Sequence, residues 1–353
     1  MSRFLSRRFQ EIEPYTPGEQ PQDMQYIKLN TNENPYAPSS KVLRAINTEA
    51  LENLRLYSDP EIKELTSTIS EYYGVNPNQV FVGNGSDEIL AFAFQAFHDE
   101  KQEVCFPEIT YGFYQVFSEL YQVPNRKIPL TKEFQINIED YLGCKKNIIL
   151  ANPNAPTGIC LPLSDIEEIL KSNPEQLVMI DEAYIDFGGE SCIPLLKKYD
   201  NLLVIQTFSK SRNLAGARIG FAVASKEVIE DLNKIKFSFN PYNVNRLSMV
   251  LGKAAMEDED YFRQCTNEII HTREKISMGL KTLGFEVLPS KANFIFARHP
   301  QIKGCDYFKK LREKGILVRH WADTPITDFV RITIGTYEQM TSFYQVTKQI
   351  LER

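Results

Sequence analysis

The chain has one tryptophan and four histidines in 353 residues, and its six cysteines (Cys105, Cys144, Cys160, Cys192, Cys265 and Cys305) form no CxxC pair. Without clustered His and Cys at ligand spacing, a structural zinc site or other metal centre is not expected. Single scattered cysteines fit reduced thiols packed in a core, and so a cytoplasmic chain. Excess positive charge is also missing. A formal net charge of −6 argues against nucleic acid or an anionic membrane as the main partner. Each basic residue must therefore be weighed as a local anion site. No apolar run is long enough to span a bilayer. The first ten residues carry positive charge without the apolar stretch of a signal peptide, and Glu11 and Glu13 speak against a transit peptide. Internal repeats and low-complexity tracts are lacking too, which excludes solenoid architectures.

What is there reads as an ordinary globular protein. Hydrophobic content is 42% and charge 24%, so the chain can bury a sizeable core. Its length fits one large and one smaller unit rather than a single small domain. Residues 1–40 are rich in Pro, Asn, Gln and Glu and read as an extended arm with one short strand at 26–29. Residues 60–74 have helical period and a glycine stop. From 79 to 225, strand and helix patterns alternate: strands at 79–82, 103–106, 147–150, 176–180 and 201–207, with helices at 88–97 and 163–172. Such alternation implies a largely parallel sheet flanked by helices, an α/β fold. Residues 226–280 are helical in pattern, interrupted at 239–245, and 281–353 mix short strands with helices as a smaller α+β domain. The expected division is an arm at 1–45, a large domain at 46–245 and a small domain at 246–353.

In parallel sheets ligands bind beyond the carboxyl ends of the strands, and the polar clusters of this chain fall there. Asn201-Leu-Leu-Val-Ile-Gln-Thr-Phe-Ser-Lys210 ends an apolar run in two hydroxyls, Thr207 and Ser209, and an amine. Gln176-Leu-Val-Met-Ile180 ends in Asp181-Glu-Ala-Tyr184, and Arg218 precedes the apolar run 219–224. Amine, carboxylate, phenol, hydroxyls and guanidinium make the set that holds pyridoxal phosphate. The lysine forms the Schiff base, the carboxylate pairs with the pyridinium nitrogen, and hydroxyls with the arginine take the phosphate. Each residue has a plainer reading. Lys210 alone is a surface lysine at a strand end, Asp181 a core ion pair or turn cap, and Tyr184 interface packing. Gly83-Asn-Gly-Ser-Asp87 alone is a strand-to-helix turn, although the N–H groups of Ser86 and Asp87 open a helix whose dipole favours anions. Their agreement across five segments favours the cofactor reading. Glu182 and Asp186 read as solvated or structural.

In sequence order stand Leu29-Asn-Thr-Asn-Glu-Asn-Pro-Tyr36, Gly83-Asn-Gly-Ser-Asp-Glu88, Tyr111-Gly-Phe-Tyr114, Asn152-Pro-Asn-Ala-Pro-Thr-Gly158, Asp181-Glu-Ala-Tyr184, Ser209-Lys210 with Arg218, and Val330-Arg-Ile-Thr-Ile-Gly335. Together these resemble the fold-type I aminotransferases of class I/II along nearly the whole chain. The resemblance implies a mostly parallel seven-stranded sheet and a homodimer with shared sites. Within that group, Pro241-Tyr-Asn-Val-Asn245, the asparagine-rich arm and the pair Arg319 and Arg331 are most similar to the histidinol-phosphate aminotransferases. By this resemblance Tyr111 stacks on the cofactor ring, Tyr57 reaches the phosphate in the neighbouring subunit, and Asn34 joins the substrate site. One position departs from the pattern: Ala155 stands where the group has the asparagine that bonds the ring oxygen. Either Asn154 reaches in from one position earlier, or Tyr184 holds that oxygen alone.

The expected reaction exchanges the amino group between histidinol phosphate and 2-oxoglutarate, giving imidazole-acetol phosphate and glutamate, with Lys210 as proton carrier. Arg331 lies in an apolar strand pattern where an unpaired guanidinium is costly, so a bidentate anion partner is expected. The resemblance gives it the α-carboxylate of glutamate or the phosphate of histidinol phosphate, with Arg319 sharing the phosphate and Tyr15 closing over it. Arg319 also reads as a plain surface charge. Three alternatives stay open: an aromatic-amino-acid aminotransferase, a threonine-phosphate decarboxylase, and a non-catalytic binding protein, the last disfavoured by Lys210.

Overall fold

The computed structural model describes residues 2–322 and 325–352; Met1 and Arg353, the outer ends of the expected division, lie outside them. The extended arm carries β1 (Ile27–Lys28). Seven strands then build the main sheet: β2 (Val80–Gly83), β3 (Val104–Pro107), β4 (Asn125–Ile128), β5 (Asn147–Ala151), β6 (Val178–Asp181), β7 (Leu202–Thr207) and β8 (Gly220–Ala224). Their order is β2-β8-β7-β6-β5-β3-β4. Every pairing is parallel except those of β8, which runs against both β2 and β7.

β5, β6, β7 and β8 are buried along their whole length, because helices cover both faces of a parallel sheet. Successive side chains alternate between the two faces. Ile148, Leu150, Val178, Ile180 and Val204 enter one apolar cluster, and Ile149, Met179, Leu203 and Ile205 the other. Burying each such side chain stabilises the fold by roughly 1.5–3 kcal/mol. The helix Arg246–Met256, beyond the expected break at 245, packs Ala254, Ala255 and Met256 into the first cluster. β4 escaped the sequence pattern. Its Asn-Arg-Lys-Ile side chains are half exposed because it is the sheet's edge, so the apolar signature is lost.

A second sheet of four strands has the order β12-β13-β10-β9, from β9 (Glu286–Val287), β10 (Phe294–Arg298), β12 (Arg319–His320) and β13 (Val330–Thr333). The remaining strand, β11 (Ile316–Leu317), pairs in parallel with β1 of the arm. This pairing pins the arm between the two sheets, and Leu29, completely buried, joins the apolar cluster of the second sheet. Among the described residues no helix is long and apolar enough to cross a membrane.

Candidate active site

Strand direction gathers the site. β3, β5, β6 and β7 all end at one edge of the main sheet. β2 is antiparallel to β8 and therefore ends at the same edge, while β8 begins there. The register sets Gly83, Gly220 and Thr207 at one level, and Ala151, Asp181 and Ile205 at the next. Gly220 must be a glycine. A Cβ there would run into the backbone of Gly85 and Ser86, so the first turn of the helix Ser86–Phe97 could not lie against β8.

A cleft of about 460 Å³ opens over this edge, within the range of small-molecule sites. Its walls include Tyr15, Ser86, Asp87, Tyr111, Asp181, Tyr184, Thr207, Ser209, Lys210, Arg218, Arg319 and Arg331. Twelve of the residues singled out from sequence thus meet in one cavity, although they span residues 15 to 331.

At its floor Asp181 is buried, accepting hydrogen bonds from Tyr114 Oη (2.9 Å) and Ala183 N (3.1 Å). Burial pushes its carboxyl up to about 6, while the two hydrogen bonds and the Lys210 amine pull the other way. A carboxylate so placed needs a cation to face it. Lys210 is held down to about 8, first by burial and then by the nearby Arg331 guanidinium. Among the described residues the amine's only hydrogen bond is a long one to Thr31 O (3.5 Å), so more of it than of an ordinary lysine is uncharged near neutral pH and free to act as nucleophile or base.

One end of the cleft is an anion cup. Ser86 opens a helix, Thr207 Oγ1 donates to Ser209 Oγ (3.0 Å), and Arg218 pairs with Asp87 (3.3 Å). Tyr111 Oη also donates to Asp87 (2.7 Å), fixing that ring at the wall. The other end holds the two arginines. β12 and β13 place Arg319 directly opposite Arg331, and like charges in that relation repel. Neither meets a carboxylate among the described residues. Arg331 Nη2 donates to Asn30 O (3.1 Å), its Nε is buried with no partner among the described residues, and Arg319 donates to Thr16 O and Pro17 O of the arm (3.1 and 3.3 Å). Trp321 lies between them, its ring centre 5.6 Å from the Arg319 and 5.4 Å from the Arg331 guanidinium, within cation–π reach. Two guanidiniums that meet no carboxylate among the described residues form a second anion site.

The structure corrects the placement of two asparagines. Asn154 does not reach into the cleft: its amide donates to Ile109 O (3.0 Å) and Thr157 Oγ1 (3.2 Å) and accepts from Thr110 Oγ1 (2.8 Å), which ties down the loop. Ala155 lines the wall in its stead with a methyl group. Asn34 turns away as well, donating to Lys210 O (2.8 Å) and accepting from Tyr36 N. The arm asparagines that line the cleft are Asn30 and Asn32. Tyr57 stands apart from the cleft, 79% exposed and stacked on Tyr242 at 4.6 Å. Tyr114, Asn32 and Trp321 were missed from sequence. Tyr114 and Asn32 sat in motifs already noted, and the only tryptophan two residues after Arg319 was a usable signal.

The residues present suit pyridoxal phosphate: a desolvated carboxylate, a depressed amine, a fixed aromatic wall and an anion cup share one cavity.

Three comparisons with known proteins agree. The profile of the family Aminotransferase class I and II matches residues 24–346. The chain is 51% identical over 353 residues to a histidinol-phosphate aminotransferase of Brachyspira hyodysenteriae, covering 100% of both chains. It is 49% identical to one of Clostridium acetobutylicum over 351 residues, covering 99% of this chain and 100% of that one. The crystal structure of histidinol-phosphate aminotransferase from Sinorhizobium meliloti in complex with pyridoxal-5'-phosphate shares the fold. Its TM-score is 0.90 at 23% identity, over 100% of this chain and 98% of that chain.

Proposed function

The chain belongs to the class I and II aminotransferases, and from that premise we propose that it uses pyridoxal phosphate to move an amino group between histidinol phosphate and 2-oxoglutarate in histidine biosynthesis. The products are imidazole-acetol phosphate and glutamate. The observation that carries the substrate assignment is the pair Arg319 and Arg331, opposite one another and with no acid paired to either among the described residues, in the same cleft as Lys210 and Asp181. One amino donor ends in a phosphate and the other carries carboxylates, so both need such a site.

The bound cofactor supplies an electron sink for the bond broken at the substrate Cα. Asp181 would pair with the ring nitrogen and hold its proton there, a cation that would satisfy a carboxylate burial otherwise disfavours. Tyr111 would cover the ring, and Tyr184 would offer its phenol O–H as a hydrogen bond to the ring oxygen. Ser86, Asp87, Thr207, Ser209 and Arg218 hold the phosphate through backbone N–H, hydroxyl and guanidinium donors. Lys210 would be the amine that holds the cofactor and, once free, would carry the proton at the substrate Cα. Arg331 fixes the α-carboxylate or phosphate, Arg319 shares the phosphate, and Tyr15 with the arm closes the cleft against water. On this reading residues 1–45 act as an arm, 46–245 as the cofactor domain and 246–353 as the smaller domain.

A second copy completes the site. Exposed Tyr57, Leu51, Leu54, Leu56 and Phe239 give an apolar surface suited to a homodimer, in which the partner subunit's Tyr57 reaches the phosphate. Six unpaired cysteines favour a cytoplasmic enzyme.

The test is visible absorbance of the purified protein loaded with pyridoxal phosphate, followed on separate additions of histidinol phosphate, phenylalanine and phosphothreonine without keto acid. Histidinol phosphate should collapse the band fastest. A faster response to phenylalanine makes it an aromatic aminotransferase, and CO2 released from phosphothreonine makes it a decarboxylase. No visible band at all overturns the cofactor assignment.

A further inference from the structure

The wall of the cleft beside Tyr184 has an unusual composition. Ala155 presents only a methyl group there, and the amide of Asn154 is spent on the loop. The polar group that meets the Tyr184 phenol comes from the arm: Asn32 Nδ2 donates to Tyr184 Oη at 2.9 Å.

Which end of the Asn32 amide faces Tyr184 is fixed by its neighbours. Asn32 N donates to Thr333 Oγ1 (3.0 Å), so that hydroxyl has its own proton left to give, and it gives it to Asn32 Oδ1 (3.0 Å). The amide oxygen is thus used, and the NH2 end must point at the phenol. Asn293 holds the Asn32 carbonyl (3.0 Å). The residue is 1% exposed and sits at φ +56°, a left-handed conformation that asparagine tolerates better than most side chains. The phenol oxygen accepts from Asn32, which leaves its one proton to donate elsewhere, and the cleft is the open direction.

We propose that Asn32 is a positioning residue that directs the Tyr184 O–H into the cleft toward the cofactor's ring oxygen, with Thr333 locking its amide. The proposal rests on the cofactor reading above. It also links sites, because Thr333 lies two residues from Arg331 on β13 and so shares the strand that holds the substrate anion.

The experiment titrates visible absorbance of the cofactor-loaded protein against pH. A donor to an anionic ring oxygen holds the absorbance midpoint low, so its loss raises the midpoint. Asn32→Gly removes the amide and keeps the left-handed backbone available. It is expected to raise the midpoint by about one pH unit, the effect of one charge-assisted hydrogen bond. Tyr184→Phe should do the same, and the double variant should add little to either single change. Thr333→Val, which leaves Asn32 in place without its lock, should shift the midpoint the same way by less. This variant keeps the test open if Asn32→Gly does not fold. An unmoved midpoint in both Asn32→Gly and Thr333→Val, or full additivity with Tyr184→Phe, overturns the proposal. A wild-type chain that forms no visible band instead overturns the cofactor reading, so the two failures are distinct.

Discussion

Removing the charge of Asp181 should stabilise the cofactor-free chain at alkaline pH and weaken cofactor binding together. Asp181 is 5% exposed and among the described residues has two hydrogen bonds but no salt bridge, and burial raises its carboxyl from 3.8 to about 6. A group whose folded pKa lies above its unfolded value binds protons first in the folded chain. Its contribution therefore favours folding in acid and fades as pH rises from 3.8 through 6. The whole span is worth about 3 kcal/mol, of which about 1.4 kcal/mol falls between pH 5 and 8. Asp181→Asn has no such ionisation. Urea unfolding of cofactor-free wild type and variant at these two pH values should show the variant gaining about 1.4 kcal/mol on wild type between them. Glu182, raised to about 7 by burial, is present in both chains, so its contribution cancels to first order. With pyridoxal phosphate added, wild type should gain more stability than the variant, because only it offers the ring nitrogen a carboxylate. A stability difference that does not change with pH would refute the claim that this carboxylate is desolvated.

Lys210→Ala should abolish turnover, since among the described residues no other amine lines the cleft; retained transamination in a steady-state assay would sink the assignment. Arg331→Ala should raise KM for both amino donors by roughly 10- to 100-fold, the loss of hydrogen bonds to a charged group. An effect on one substrate alone would show that the two anions use separate sites. Tyr57→Ala and Lys210→Ala chains, each impaired alone, should recover activity when unfolded and refolded together, because roughly a quarter of the sites in randomly mixed dimers are intact. No recovery would mean that each subunit supplies its own site.

Much of the site could be read locally because its residues end strands. The apolar runs before Asp181 and Lys210 announce buried strands, and a parallel sheet places their carboxyl ends together. Arg218 was legible for the same reason, as the residue before the apolar run 219–224 that contains β8. Asn154 and Asn34 were misplaced because sequence fixes an asparagine's position in a loop but not which way its amide turns. That choice fell to neighbours far along the chain, Ile109 for one and Lys210 for the other. The edge strand β4 was invisible because half its side chains face water.

By itself the sequence determined the alternation of strands and helices, hence an α/β sheet with a polar edge, and the chemistry gathered there. Continuous apolar runs and turn residues are local properties, so they survive without a structure. Only the tertiary structure decided how the arm contributes. The pairing of β1 with β11 carries Asn32 across the chain to Tyr184 and Thr333, and the pairing of β12 with β13 sets Arg319 against Arg331. These contacts join residues up to about 300 positions apart. No local periodicity encodes them, since they arise only once two separate cores have packed around the same segment.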